Sequence, residues 1–379
     1  MKGRKAFAGL FLIVTLSLTG ITLFADSLGL DDHSGWGRMR TLFFVCNLLA
    51  CMLIGFYILF TNQVESAIVS IWRRVNDNLL VQKWKDSGFV QPLIYLRKYL
   101  FTLPIMTVVI LLYIWLISSG TWTTWISPTR HYGTLAQGFA RGRLFMPTIP
   151  DPRLATLSNP YDPAVRHGID TPVDVTYYKG RYYLYWGPVP ALLLMPFQAV
   201  LHTRVGDLQL VFAFTCGTFL LLSILVIYLW ELSFKKLPRW MLGVSVLLVG
   251  TANPTLFMLN NFKGARIYEA AITGGQFFLV SGLLLAVLAL KKSRAYWILA
   301  LSGILWALSI GTRLFLILPI CGMIFVIAYG WLHGKRPALE KAVSLFAIGF
   351  PLLLGMLILG WYNWERFGSV TESGLYYQL

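Results

Sequence analysis

Charge is scarce in this 379-residue chain: Asp, Glu, Lys and Arg make up only 13% of it, roughly half the share usual in a water-soluble globular domain. Acids are the rarer sign, 16 against 32 Lys and Arg. Cysteine is scarce as well. Cys46, Cys51, Cys216 and Cys321 all fall in hydrophobic runs, so no disulfide framework braces a polar segment and no metal-type Cys/His spacing occurs. A Walker A pattern is missing, and so is a Gly-x-Gly-x-x-Gly placed after a strand. These absences remove soluble dehydrogenase, nuclease and nucleotide-binding classes. The net charge of +16 does not restore nucleic acid as a partner. Eighteen of the 32 basic residues sit in the segments read below as cytoplasmic, the distribution that the positive-inside rule gives to a membrane protein.

What the chain has in abundance is apolar sequence, 57% of all residues, with a mean hydropathy of +0.65. Runs of roughly 17–23 apolar residues, broken by short basic loops, mark an all-α polytopic membrane protein. The start Met1-Lys2-Gly3-Arg4-Lys5 resembles a signal peptide. Its apolar run to residue 25 is too long for one, and Phe24-Ala25-Asp26 makes a poor cleavage site. We read it as a first span with a cytoplasmic N-terminus. Further spans are expected at 41–60, 100–118, 208–230, 240–258, 268–290, 296–312, 314–332 and 342–361, about nine in all. Residues 61–99 read as a cytoplasmic linker with a helix lying on the membrane. The chain thus divides into an N-terminal unit at 1–99 and a transmembrane core at 100–379.

The decisive ambiguity is the run at 187–203, short and carrying three prolines. If it crossed the bilayer, the basic loops around Lys235, Lys291 and Lys335 would all fall outside, against the rule. As a juxtamembrane helix it leaves all three inside. That reading makes 119–207 a large external loop and puts the C-terminus outside. The odd span count and abrupt end suggest a shortened member of something longer.

The external loop carries the chemistry. Tyr177-Tyr178-Lys179-Gly180-Arg181-Tyr182-Tyr183 predicts a β-hairpin turning at Lys179-Gly180. Tyr178, Tyr183 and Trp186 are aromatic platforms for a sugar ring, or anchors at the membrane interface. Asp162, within Asn159-Pro160-Tyr161-Asp162-Pro163, suits a turn; Asp174 precedes the first strand. Glu269 stands at the start of a span with Arg266 three residues before it, a spacing that lets both share a helix face. Arg313 lies between two apolar runs. A guanidinium there suits bidentate phosphate recognition, or snorkels to lipid headgroups. Arg181 belongs to a basic set with Arg130, Arg141, Arg143, Arg153 and Arg166 that faces headgroups or a lipid phosphate. His131 and His167 have no ligand spacing.

At these residues the chain resembles the GT-C superfamily of integral-membrane glycosyltransferases, in particular the family 39-like bacterial members related to protein mannosyltransferases and aminoarabinose transferases. The resemblance rests on Leu135-Ala136-Gln137-Gly138-Phe139-Ala140-Arg141-Gly142-Arg143-Leu144, on Asn159-Pro160-Tyr161-Asp162-Pro163, on 174–190, and on Tyr362-Asn363-Trp364-Glu365-Arg366-Phe367-Gly368. It spans roughly 100–379. It implies transfer of a sugar from a polyprenyl-phosphate carrier to a glycan, lipid or protein acceptor at the outer face of a plasma (inner) membrane. Such enzymes place one acid early in the loop and a second in the next external loop. Glu269 matches the second, whereas Ser127-Pro128-Thr129-Arg130 has no carboxylate at the first.

The implied mechanism is inverting. Asp174, or failing it Asp162, takes the acceptor proton; Glu269 positions the acceptor or a divalent cation; Arg266, Arg313 and Arg181 bind the donor phosphate. No dedicated metal site is read, and the cofactor is left undefined. Two rival readings stay open. One is a non-catalytic lipid-binding or partner subunit of the same fold, which the absent early acid favours. The other is a transporter of lipid-linked saccharide, which the nearly pure hydrocarbon spans disfavour.

Overall fold

The structure is a computed structural model describing residues 2–25, 27–28, 36–59, 98–201, 205–252, 255–259, 266–290, 295–334 and 337–379. Its helices in chain order begin with α1 (Lys2–Leu23), α2 (Arg38–Leu59), α3 (Thr102–Ile117) and α4 (His131–Ala140). The strands β1 (Thr176–Tyr178) and β2 (Arg181–Tyr183) follow, then α5 (Val189–Leu201), α6 (Asp207–Leu229), α7 (Arg239–Thr251) and α8 (Thr255–Leu259). The last four are α9 (Ile267–Leu290), α10 (Tyr296–Thr312), α11 (Ile317–His333) and α12 (Ala338–Phe367).

A helix occupies each of the nine hydrophobic runs, although the run at 240–258 breaks after Thr251. Among the described residues, four helical stretches are long and apolar enough to cross a bilayer: Asp207–Phe234, Ile267–Leu290, Leu314–His333 and Ala338–Phe367. The chain is therefore a helical membrane protein. α3, α7 and α10 have 16, 13 and 17 residues. At about 1.5 Å per residue they extend roughly 20–26 Å, short of a hydrocarbon core of about 30 Å. The linker expected at 61–99 lies, as far as residue 97, outside the described residues. So do Lys291, Lys292, Arg294, Lys335 and Arg336.

The chain forms two compact units, one of residues 1–125 with 226–251 and one of 126–225 with 252–379. In the first unit α1 and α2 form a hairpin. Buried Arg40 closes it: Nε and Nη2 donate to the Thr22 and Leu23 carbonyls at 3.0 and 2.9 Å, satisfying acceptors that the end of α1 leaves open. α7 packs on α3, where Tyr113 donates to the Gly250 carbonyl at 2.7 Å. Lys98 and Tyr99 both reach the Glu231 carboxylate.

In the second unit α10 packs between α9 and α12. Helices that are apolar on every side gain no hydrophobic preference among themselves in lipid, so close approach of small residues and shared hydroxyls hold them. Ser302 and Ser309 of α10 donate to the Gly282 and Gly275 carbonyls of α9, each at 2.8 Å, and the Trp306 indole donates to Leu279. On the other side of α10, Gly303 lies so near the Ile348 backbone that an added Cβ would stand 2.3 Å from its carbonyl oxygen.

The hairpin forms where the sequence places it. Thr176 pairs with Tyr183, Tyr177 with Tyr182 and Tyr178 with Arg181. Lys179 and Gly180 both take positive φ, 46° and 73°, as a two-residue type I′ turn requires. The C-terminal tail adds to its free edge: Thr176 bridges Gln378, and Leu379 donates to the Val175 carbonyl. α5 occupies the proline-rich run at 187–203 and packs on α4.

Candidate functional site

One residue without a side chain decides where the hairpin's exit lies. Gly187 donates to the Thr312 carbonyl at 3.3 Å, and a Cβ there would sit 1.9 Å from the Gly311 oxygen. Only glycine permits that approach, and it seats Trp186 against the end of α10. There the backbone turns extended at Arg313 (φ −147°, ψ 108°) before a 3-10 turn, so the guanidinium leaves the helix. It lies over the Tyr268 ring at 5.0 Å and the Trp186 ring at 5.6 Å, and Nη2 donates to the Tyr268 hydroxyl at 3.4 Å.

Tyr268 belongs to the first turn of α9, which also carries Glu269. Arg266 precedes it, almost wholly buried, with Nη1 3.6 Å from Glu269 Oε1 and 3.3 Å from the Met258 carbonyl. The predicted pairing across three residues is therefore present.

Asp174 reaches the same cluster from the loop side. It adopts φ +59°, a left-handed conformation that Asp tolerates better than most residues. His131 contacts the preceding Val173 carbonyl at 2.9 Å. Oδ1 accepts from Gln378 Nε2 at 3.1 Å and from the Tyr185 hydroxyl at 3.5 Å, and the Tyr185 ring packs on Trp186 at 4.5 Å. Burial first, and the Asp174 charge second, push the Tyr185 phenol above its ordinary value, so it stays a proton donor to that carboxylate. Asp174 and Glu269 lie within electrostatic reach of each other.

The structure thus brings together Asp174, Trp186, Arg266, Glu269 and Arg313. The other residues singled out from sequence lie in different surroundings. Asp162 accepts from the Ala164 amide at 2.9 Å, the turn-forming role its prolines suggest. Arg181 is exposed and stacks on Phe145 at 4.4 Å. Tyr178 packs on Tyr377 and Phe367 at 4.7 and 5.4 Å, and Tyr183 on Phe367 at 5.3 Å. Tyr183 is buried and Tyr178 half-buried in this aromatic cluster of the loop.

Two residues escaped the sequence reading. Asp207, fully buried, accepts from Thr129 Oγ1 at 2.6 Å and from the His131 and Tyr132 amides at 2.9 and 3.1 Å. It caps the start of α4 from 75 or more positions away in sequence. Thr129 in turn accepts from the Arg266 amide at 3.1 Å, so the acid-free stretch 127–130 receives a carboxylate from α6 and touches the candidate site. The second is Gln378. An acid opening an apolar run was the only local sign of the first; nothing local marks the second.

The cluster is unfinished. Among the described residues, Glu269 Oε2, Arg313 Nη1, Tyr132 OH and Tyr362 OH are buried polar atoms with no hydrogen-bond partner. A buried group left so costs about 1–3 kcal/mol, and native proteins rarely gather several in one place without something to meet them. One donor, Arg313 Nη1, and one acceptor, Glu269 Oε2, match an anion that also carries or adjoins a hydroxyl. No group of three or more His, Cys, Asp or Glu suited to a metal ion occurs among the described residues. Comparisons with protein-family models, curated proteins and solved structures returned no match.

Proposed function

We propose that this chain is a GT-C-like glycosyltransferase that moves a sugar from a polyprenyl-phosphate donor to an acceptor hydroxyl at the outer face of a plasma (inner) membrane. The observation that carries the reading is the convergence of two arginines and two carboxylates, with polar atoms left open, where α9 begins. In the reaction the acceptor oxygen attacks the anomeric carbon and its proton passes to Asp174. The carbon–oxygen bond to phosphate breaks with inversion, and the released polyprenyl phosphate keeps the electron pair. Arg266 and Arg313 neutralise that leaving group, and Glu269 positions the acceptor or a divalent cation. The topology that goes with it has nine spans, a cytoplasmic N-terminus, and loop 119–207 and the C-terminus outside. The basic loops support that arrangement.

The test is transfer of labelled sugar from a polyprenyl-phosphate donor, with lipids retained by the purified protein identified by mass spectrometry. Asp174→Asn and Glu269→Gln should each lower transfer by about 100-fold or more, the usual loss of a general base or its partner. Undiminished transfer in both would refute the assignment. A non-catalytic lipid-binding subunit is the second reading, favoured by one observation: the carboxylate nearest 127–130, Asp207, is buried and engaged in capping. Retained polyprenyl phosphate without transfer would select it.

A further inference from the structure

Beside Arg313 lies a second set of polar atoms that the proposed transfer leaves unused. Tyr132, on the buried face of α4, is 0% exposed, and Tyr362, near the end of α12, is 5% exposed. Neither hydroxyl has a hydrogen-bond partner among the described residues. The two phenols are within electrostatic reach of each other, and Tyr132 is also within reach of Tyr185 and Arg313. Phe139, seven residues after Tyr132 and so on the same helix face, meets the Tyr362 ring edge-on at 6.2 Å.

Apart from Arg313, the formal charges next to these phenols are already engaged. Asp207 takes its three hydrogen bonds from Thr129, His131 and Tyr132. Arg366, stacked on Tyr362 at 3.9 Å, donates to the Leu184 carbonyl, the Asn363 amide oxygen and the Tyr362 carbonyl. Burial, reinforced by Asp207, holds the Tyr132 phenol well above its ordinary value, so it remains a neutral O–H. What stays open is therefore neutral, and each phenol can both donate and accept. A second ion finds no unengaged counter-charge here, whereas the hydroxyls of a neutral ring find partners of both kinds.

We propose that Tyr132 and Tyr362 form a hydroxyl-reading compartment next to Arg313, which takes a neutral polyhydroxylated ring. The arginines then hold the anion to which that ring is joined. This rests on the lipid-phosphate reading above and deepens it by dividing the site into an anionic and a neutral half.

The experiment uses the full chain in detergent, with binding followed by tryptophan fluorescence. One probe is dodecyl phosphate, which carries the anion alone; the other is a panel of hexosyl dodecyl phosphates. Tyr132→Phe and Tyr362→Phe each remove one oxygen and keep the ring, and unchanged thermal unfolding verifies their fold. Each should weaken the preferred hexosyl phosphate about five- to tenfold, the worth of one hydrogen bond, and leave dodecyl phosphate unchanged. Arg313→Gln should weaken both probes. Wild-type affinity of the tyrosine variants for both probes means that the hydroxyls hold only water, and overturns the compartment. Equal weakening of both probes, or no binding of any hexosyl phosphate by the unaltered chain, overturns it as well. If Arg313→Gln changes neither probe while the tyrosine variants weaken the hexosyl ones, the phosphate reading fails and the compartment stands.

Discussion

Arg366 is the residue whose replacement tests the architecture of the site most directly. It sits in the last turn of α12, 6% exposed, and joins that helix to the end of the hairpin. Nη1 donates to the Leu184 carbonyl at 2.7 Å, Nη2 to Asn363 Oδ1 at 2.7 Å and Nε to the Tyr362 carbonyl at 3.3 Å. Its plane also lies on the Tyr362 and Phe367 rings. Arg366→Met keeps most of the aliphatic stem but leaves the first two oxygens buried without this donor. At about 1–3 kcal/mol for each, the loss is about 4 kcal/mol. The Tyr362 carbonyl adds little, since it accepts from the helix backbone. For a protein of 379 residues a loss of about 4 kcal/mol lowers the unfolding midpoint by about 5 °C. The assay is thermal unfolding in detergent followed by tryptophan fluorescence, with hydrogen exchange at 182–185 to localise the change. Arg366→Lys should recover only part, because an ammonium cannot present the planar fork. A shift below about 2 °C in the Met variant, or full recovery by Lys, would refute the reasoning.

Gly187→Ala should destabilise the chain and displace Trp186, because its Cβ would meet the Gly311 backbone rather than a movable side chain; altered tryptophan emission and reduced lipid retention are the readouts. Asp207→Asn keeps the shape and loses the charge that three donors share, so about 1–3 kcal/mol of stability should go, and Asp207→Ala should lose more; comparative unfolding in detergent measures both. Asp162→Asn should leave transfer and lipid binding unchanged, since its contact is a local turn; loss of transfer would return it to the list of bases. The raised phenol of Tyr185 favours the fold at pH below the ordinary tyrosine value of 10.0, and that contribution is lost as pH climbs through the folded-state value. An absorbance titration to about pH 11 should therefore count as many phenolates in Tyr185→Phe as in the unaltered chain.

Some of the site was legible because it is local. Arg266 and Glu269 are three residues apart on a helix, and helical geometry alone brings such residues to one face. The hairpin was legible for the same reason, with strand-forming tyrosines on both sides of a Lys179-Gly180 turn. Asp174 and Arg313 stood out as polar residues at the edges of apolar runs. Tyr178, Tyr183 and Trp186 show where that reasoning stops. All three are aromatic residues in one run, yet Tyr178 and Tyr183 pack on Phe367, while Trp186 leans on Arg313. Neither composition nor period distinguishes them, because the partner comes from the far end of the chain.

What the sequence determined by itself follows from transfer free energy and from contacts a few residues apart. Long apolar runs must be helical in a bilayer, where every backbone N–H and C=O needs an internal partner. Short aromatic strands beside a glycine turn must fold back. Tertiary structure decided the contacts that span 75 positions or more: Asp207 capping α4 and, through Thr129, touching Arg266; Gln378 donating to Asp174; and Gly187 pressed on Gly311. Those contacts depend on which helix ends and loops meet, a three-dimensional outcome of small-residue packing and backbone approach that no window along the chain contains.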